Sequence, residues 1–135
     1  MANDVSITGV QQIALTVSDL DRSKEFYESA LGLKMVARFD PPGLMFFYAG
    51  DVRLSLQKVD TVEAVSSVIY FRVGDIHAAA NVLKRNSVEL ELDPQLIFPD
   101  KEGRFGEAGE EEWMTFFRDP DGHLLALASR EKSKK

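Results

Sequence analysis

The sequence contains no cysteine in 135 residues, which excludes disulfides, a thiol nucleophile and thiolate metal ligands. It also has no run of eighteen or more apolar residues, so we expect no membrane span. The first residues, Met-Ala-Asn-Asp, lack the basic and apolar regions of a secretory signal. These absences together predict a cytoplasmic protein.

Basic side chains are outnumbered, with 16 Lys and Arg against 22 Asp and Glu and a net charge of −6. Nucleic acids require basic surface to meet their phosphates, so we expect no nucleic-acid partner. An acidic surface favours a cationic ligand instead. The two histidines, His77 and His123, fall at a helix start and beside a turn, so we expect both to face solvent.

An internal repeat organises what the sequence does contain. Residues 12–20 match residues 68–76 at an offset of 56, and each copy is an alternating strand that leads into an acidic helix cap. The hairpin at 45–56, with a Gly50-Asp51 turn, is echoed by one at 114–127. The repeat therefore predicts two copies of a strand, a helix and three strands.

The length of the chain and the repeat define the expected boundaries within one domain, residues 1–135. We place a first module at about 9–57, a linker at 58–66, a second module at about 67–129 and a tail at 130–135. Residues 93–112 are rich in acids, glycine and proline, which predicts a lid, a binding loop or a mobile segment.

Strand alternation separates two faces of the predicted sheets. One face is uniformly apolar and suits packing under the helices. The opposite face, called the open face below, mixes aromatic and polar side chains, as small-molecule pockets do. Its predicted pocket residues are Gln12, Phe46, Tyr48, Arg53, Ser55, Gln57, Tyr70, Arg72, Trp113 and Phe117. The alternative is a half-solvated face, or one that packs against a second copy of the chain.

Two segments resemble a known superfamily. The run from Gln12 to Leu33, which contains Ser-Asp-Leu-Asp-Arg-Ser and Phe-Tyr-Glu-Ser-Ala-Leu-Gly-Leu, is similar to the first-module signature of the vicinal oxygen chelate superfamily. The run Phe116-Phe-Arg-Asp-Pro-Asp-Gly-His-Leu-Leu125 resembles its second-module ending. That group includes glyoxalase I, bleomycin-resistance proteins and extradiol dioxygenases. The resemblance covers about residues 9–129.

The resemblance implies an α+β fold, in which two tandem βαβββ modules form a cup-shaped, mostly antiparallel half-barrel sheet with helices on its outer face. Metalloenzymes of the superfamily hold a divalent ion with His, Glu or Gln from four strands. Those positions fall on Gln12, Ser55, Val68 and Ala126. Val and Ala have no donor atom, so we expect neither a metal nor any other cofactor.

Catalytic residues are not assigned, because the open face carries no Asp, Glu, His or Lys on the core strands by this parity. Tyr48 and Tyr70 offer hydroxyl donors, and Arg53 and Arg72 could clamp a carboxylate or phosphate. Acids of the 93–112 segment, Glu107 and Glu110 to Glu112, could reach over the pocket or form a solvated face.

Three functions follow. The leading interpretation is a metal-free protein that binds a small aromatic or cationic molecule, resembling the bleomycin-resistance branch. The alternative is a glyoxalase-type lyase or dioxygenase-like enzyme with a displaced Ni, Zn, Fe or Mn ion or none. A third is a vestigial domain that binds a partner. Superfamily members of this size commonly pair, so the resemblance also implies a homodimer, with modules side by side or exchanged.

Overall fold

The computed structural model describes residues 10–63 and 67–134. Its elements are β1 (Gln12–Val17), α1 (Leu20–Lys24), β2 (Lys34–Phe39), β3 (Leu44–Ala49), β4 (Val52–Lys58), β5 (Ile69–Arg72), α2 (Ile76–Arg85), β6 (Leu90–Asp100), β7 (Glu110–Arg118) and β8 (Leu124–Lys132). A π-helical segment, Glu25–Ala30, continues α1. Residues 1–9, 64–66 of the expected linker and the last residue of the expected tail lie outside the described ranges. No helix within those ranges is long and apolar enough to cross a membrane.

Each half of the chain forms an open four-stranded sheet. The strand orders are β1-β4-β3-β2 and β5-β8-β7-β6. In each sheet the first strand pairs in parallel with the last, and the other neighbours are antiparallel. The predicted α+β fold of two tandem βαβββ modules, forming a cup-shaped and mostly antiparallel sheet, is confirmed.

Both helices begin at the acidic caps that the repeat predicts. The side chain of Asp19 accepts a hydrogen bond from the backbone N–H of Arg22, and Asp75 accepts from the first turn of α2. These side chains satisfy N–H groups that have no partner within a helix. Gly32 follows the first helix with φ of +80°, a left-handed conformation that glycine adopts without steric cost.

The helix-covered faces of the two sheets share one buried core. The ring of Phe26 lies 6.4 Å from that of Phe117 in the second sheet, and Tyr27 lies 5.9 Å from Phe47 in the first. The segment after α1 therefore contacts both modules. Since burial of apolar side chains is the dominant favourable term in folding, this shared core ties the modules together.

A polar joint reinforces this core. The Tyr27 hydroxyl donates to Asp119 Oδ2 at 2.7 Å, and Ser18 donates to Asp121 from its backbone N–H and its hydroxyl. Burial, followed by the charge of Asp119, raises the pKa of Tyr27 far above its usual range, so its hydroxyl remains a donor. The turn of the last hairpin is thereby fixed onto the start of the first helix.

The 93–112 segment is not a lid or an irregular loop, which corrects the sequence prediction. β6 extends to Asp100 and β7 starts at Glu110, so only residues 101–109 connect them. Three acids of this run are bound from β8, because Arg130 forms ion pairs with Asp100, Glu110 and Glu112. β8 itself reaches Lys132, so part of the expected tail is strand.

Asp100, at the end of β6, holds the 101–109 connection in place. Burial alone would raise the pKa of Asp100, but two backbone N–H groups of the 101–109 connection and the Arg130 guanidinium outweigh it and lower that pKa to about 2. The carboxylate is therefore ionised at neutral pH. It holds the connection through Arg104 N at 2.7 Å and Phe105 N at 3.0 Å.

The register of β7 also differs from the prediction. Phe117 pairs with Leu125 and Trp113 with Ser129, which places both aromatic residues on the helix-covered face. Phe117 is fully buried in the core. The prediction that Trp113 and Phe117 lie on the open face is therefore wrong.

The cause is one residue in the β7–β8 turn. A four-residue turn, 119–122, would pair Arg118 with His123, but the structure pairs Arg118 with Leu124 across five residues. Asp119 closes this longer turn, since its Oδ1 accepts from Asp121 N at 2.9 Å and from His123 N at 2.8 Å. A shift of one residue moves every side chain of a strand to the other face.

This register predicts unequal losses of stability when either of two adjacent phenylalanines is replaced by alanine. Phe117→Ala should lower the free energy of unfolding by about 3–5 kcal/mol, because it empties a buried site. Phe116→Ala, on the half-buried open face, should cost about 1 kcal/mol. Urea unfolding followed by circular dichroism measures both values. A larger cost for Phe116→Ala would contradict the five-residue turn.

Candidate functional site

The open face of the first sheet is arranged in cross-strand rows. Residues directly opposite each other in a ladder point to the same face of the sheet. The pairings define three rows: Gln12, Arg53, Tyr48 and Lys34; Ala14, Ser55, Phe46 and Ala37; Thr16, Gln57, Leu44 and Phe39. The six pocket residues predicted in this module therefore do lie on one face.

Arg53 is the most constrained polar side chain of this face. Its Nε donates to Gln12 Oε1 at 2.6 Å, and its Cζ lies 5.8 Å from the centre of the Phe46 ring. A guanidinium over an aromatic face is attracted to the ring quadrupole. Two contacts from different strands thus hold one positive charge at a defined place.

Exposed aromatic rings share this face with the guanidinium of Arg53. Tyr48 is 43% exposed, and Phe39 is 52% exposed and packs edge-on against Phe46 with 6.0 Å between ring centres. Isolated apolar residues on a surface are ordinary, but adjacent exposed rings on one sheet face mark a contact surface.

The open face of the second sheet is aromatic at its centre and charged in its far rows, where Glu112 lies opposite Arg130 and Glu110 opposite Lys132. Tyr70 and Phe116 lie on either side of Ala126, with an edge-on contact of 6.3 Å between their ring centres. Tyr70 remains 53% exposed, whereas Ala126 is fully buried beneath its neighbours. Arg72 follows in the next row, beside Ala128 and Met114. Both faces therefore carry aromatic rings, but the first holds two cations and no acid, whereas the second also carries Glu110 and Glu112. The expectation that the open face has no acid is wrong for the second sheet, because the register of β7 turns these two side chains to it.

Trp113 lies on the other side of this second sheet. Its ring packs edge-on against His77 at 5.1 Å, at the start of α2, and its indole N–H is buried without a hydrogen-bond partner within the described residues. His123 also departs from expectation, because it is buried and its Nε2 lies 2.6 Å from the carbonyl oxygen of Thr16. The expectation that both histidines face solvent is wrong for His123.

The four family metal positions do not form a donor set. Val68 and Ala126 have no donor atom, and the Gln12 oxygen already accepts from Arg53. Ser55 supplies one neutral hydroxyl. No group of three His, Asp or Glu side chains in residues 10–63 and 67–134 converges in a way that could hold an ion. The fixed charge of Arg53 would also repel a divalent cation.

Two cavities lie beside the open faces rather than on them. One of about 840 Å³ is bordered by β5, α2 and the β3–β4 turn, with Tyr70 and Arg72 among its lining residues. The other, about 730 Å³, lies between the segment after α1 and the start of β6, with Arg22, Glu89 and Arg118 in its lining. Both volumes fall within the range of small-molecule pockets.

Four side chains of the open faces are absent from the predicted pocket: Phe116, Met114, Phe39 and Lys34. For Phe116 and Met114 the missing signal was the length of the β7–β8 turn. For Phe39 it was a bulge between Met35 and Ala37, which shifts the pairing of β2 by one residue. A bulge of this kind leaves no fixed motif in the sequence.

This chain is similar to a known protein family and to several solved structures. A family profile described as Glyoxalase/Bleomycin resistance protein/Dioxygenase superfamily matches residues 9–127. No curated protein sequence matches significantly. Among solved structures, an integron cassette protein from V. cholerae is similar at 23% identity and a TM-score of 0.71, covering 93% of this chain and 97% of its own.

Two further structures share the fold. A lactoylglutathione lyase from Agrobacterium tumefaciens is 21% identical with a TM-score of 0.69, covering 92% of this chain and 95% of its own. A glyoxalase/bleomycin resistance protein/dioxygenase from Alicyclobacillus acidocaldarius is also 21% identical, with a TM-score of 0.67 and coverages of 90% and 91%. At such identities the likeness concerns the fold alone. Because the family profile spans nearly the whole chain, this protein belongs to the glyoxalase/bleomycin resistance protein/dioxygenase superfamily.

Proposed function

We propose that this protein binds a small planar molecule on its open faces without the help of a metal ion. The observation that supports this proposal most directly is that two tyrosines, one on each open face, are exposed: Tyr48 is 43% exposed and Tyr70 is 53% exposed. Aromatic rings with a few fixed polar groups are the usual lining of ligand sites. Phe46 and Phe116 extend the same surfaces, and Gln12, Ser55 and Gln57 supply polar contacts.

Binding rather than catalysis is favoured by the side chains available. The three rows of the first open face contain no carboxylate and no imidazole, the side chains that most often act as general acid or base. Glu110 and Glu112 of the second module are engaged by Arg130. The partner we propose is a small molecule, rather than nucleic acid or a membrane, and the proposed location is cytoplasmic.

A homodimer is part of the proposal. Exposed apolar side chains occur on the open face and also along β6, where Leu92, Leu96 and Ile97 are each more than 40% exposed. Extended apolar surface of this kind is unfavourable in an isolated chain and is covered in oligomers.

Ligand binding should depend on Tyr48. A panel of planar aromatic compounds, screened by ligand-observed NMR and then by calorimetry, should contain binders whose dissociation constants rise about five- to tenfold in Tyr48→Ala, because one stacking ring is lost. Fluorescence of Trp113 is unsuited to this test, since that ring lies on the opposite face of its sheet.

Phe105→Ala is the matched control for this variant. Phe105 is 70% exposed and lies in the 101–109 connection, where its ring packs edge-on against Phe98 at 5.6 Å, outside the module that holds Tyr48, so its removal should leave affinity unchanged. Absence of any binder from a panel that includes neutral, cationic and anionic compounds would refute the proposal. An equal loss in Phe105→Ala would also do so.

Divalent metal should have no effect on stability. Protein purified without chelator should carry less than stoichiometric Ni, Zn, Fe or Mn by elemental analysis, because two of the four family positions lack donors. A ligand present at 100 times its dissociation constant stabilises the folded state by about 2.7 kcal/mol, so added metal should leave the unfolding midpoint in place if none binds. Stoichiometric metal retained through gel filtration would instead favour the lyase or dioxygenase alternative.

The assembly is tested by light scattering. We expect a mass of about 30 kDa in solution, twice the 15.1 kDa of one chain. A mass of about 15 kDa at micromolar concentration would show that the exposed aromatic surface is tolerated in a monomer.

A further inference from the structure

Arg53 differs from most arginines of this chain in what holds it. The sequence has eight arginines, and five of them, Arg22, Arg38, Arg104, Arg118 and Arg130, form ion pairs with carboxylates. Arg53 forms none within the described residues, although acids outnumber bases in the chain by six. Its fixed partner is the neutral amide of Gln12. The positive charge is therefore positioned without being neutralised.

The hydrogen bond to Gln12 also determines which donors remain. A guanidinium has five N–H groups in a planar fork, and Arg53 uses only the one on Nε. The four N–H groups on the two Nη atoms have no partner in the described part of the chain, and the pair at the end of the fork matches the two oxygens of a carboxylate. Because Gln12 Oε1 accepts from Arg53, its NH₂ group is left as a further donor beside the fork.

The surroundings of Arg53 reinforce this polarity. Its cross-strand row ends in Lys34, which likewise forms no ion pair in residues 10–63 and 67–134. The three open-face rows of the first sheet hold two cations and no acid. The net charge of −6 suggested a cationic ligand, but at this face the local charge has the opposite sign, and local charge governs a contact within a few ångströms.

From this arrangement we infer that Arg53, oriented by Gln12, is a carboxylate-binding residue that takes over the role of a metal ion in this chain. Ser55, a position where metalloenzyme relatives place a ligand, lies two residues beyond Arg53 on the same face. A divalent ion in such a position would attract two ligand oxygens, and the guanidinium fork attracts the same pair by hydrogen bonds and charge. The ligand class is a planar aromatic or conjugated monocarboxylate, with its ring on Tyr48 or Phe46 and its carboxylate on Arg53.

This inference rests on the proposed function and adds the charge of the ligand to it. The experiment compares three compounds of nearly equal shape: 2-naphthoate, 2-naphthamide and 2-naphthylmethylamine. Calorimetry on the full-length chain at pH 7 should give an affinity for naphthoate about tenfold or more above that for the amide, as expected for hydrogen bonds to a charged group. The amine should bind more weakly than the amide.

Variants then assign the preference to Arg53. Arg53→Gln should abolish the difference between naphthoate and naphthamide, because it removes both the charge and the fork and so weakens naphthoate more than the amide. Arg53→Lys keeps the charge but loses the fork, so it should retain only part of the preference. Arg85→Gln is the matched control, because Arg85 is an exposed arginine on α2 without an ion pair in the described residues, and it should leave the preference intact.

The outcomes separate this inference from the proposed function. Equal binding of naphthoate and naphthamide by the wild type would overturn the role of Arg53 and leave the planar-ligand proposal standing. Binding of naphthoate that is lost in Arg53→Gln but unaffected by Tyr48→Ala would support Arg53 and count against stacking. A preference that survives in Arg53→Gln, or no binding of any of the three compounds, would overturn the inference.

Discussion

The carboxylate of Asp119 connects three parts of this structure at once. Its Oδ1 accepts two backbone hydrogen bonds that close the β7–β8 turn, and its Oδ2 accepts from the hydroxyl of Tyr27 in the first module. The first pair of bonds fixes the turn at five residues, which sets the face of every side chain on β7. The third bond docks that turn on the opposite module. A nearly buried carboxyl group is tolerated there because three hydrogen-bond donors reach its two oxygens.

The consequences reach the candidate site. Since the turn contains five residues, Phe116 joins Tyr70 on the second open face, while Phe117 goes into the core that the modules share. Ala126 then lies beneath two rings at a position where metal-binding relatives place a ligand. The length of the turn and the alanine at position 126 thus have the same effect: the centre of the second open face is an apolar contact surface and has no metal-binding donor atom.

The sign of the local charge differs between the two modules of this protein. In the second module, Arg130 forms ion pairs with three acids and holds the ends of β6 and β7 together. The first open face carries the opposite sign, with Arg53 held by an amide and an aromatic ring. A net charge of −6 therefore does not describe the field at the site, because screening limits each charge to its own neighbourhood.

The sequence by itself determined the βαβββ repeat, the acidic helix caps, the two-residue Gly50-Asp51 turn and the open face of the first sheet, since each depends on a local period or on contacts between near neighbours. It also showed that Val68 and Ala126 cannot bind a metal, because that follows from residue type. Tertiary structure decided the rest. Three features depend on partners many residues away, as Asp119 depends on Tyr27: the length of the last turn, the bulge in β2 and the ion pairs of Arg130. Alternation along one strand has no information about such partners, so it gave the correct face for the first sheet and the wrong face for β7, where a distant contact sets the register.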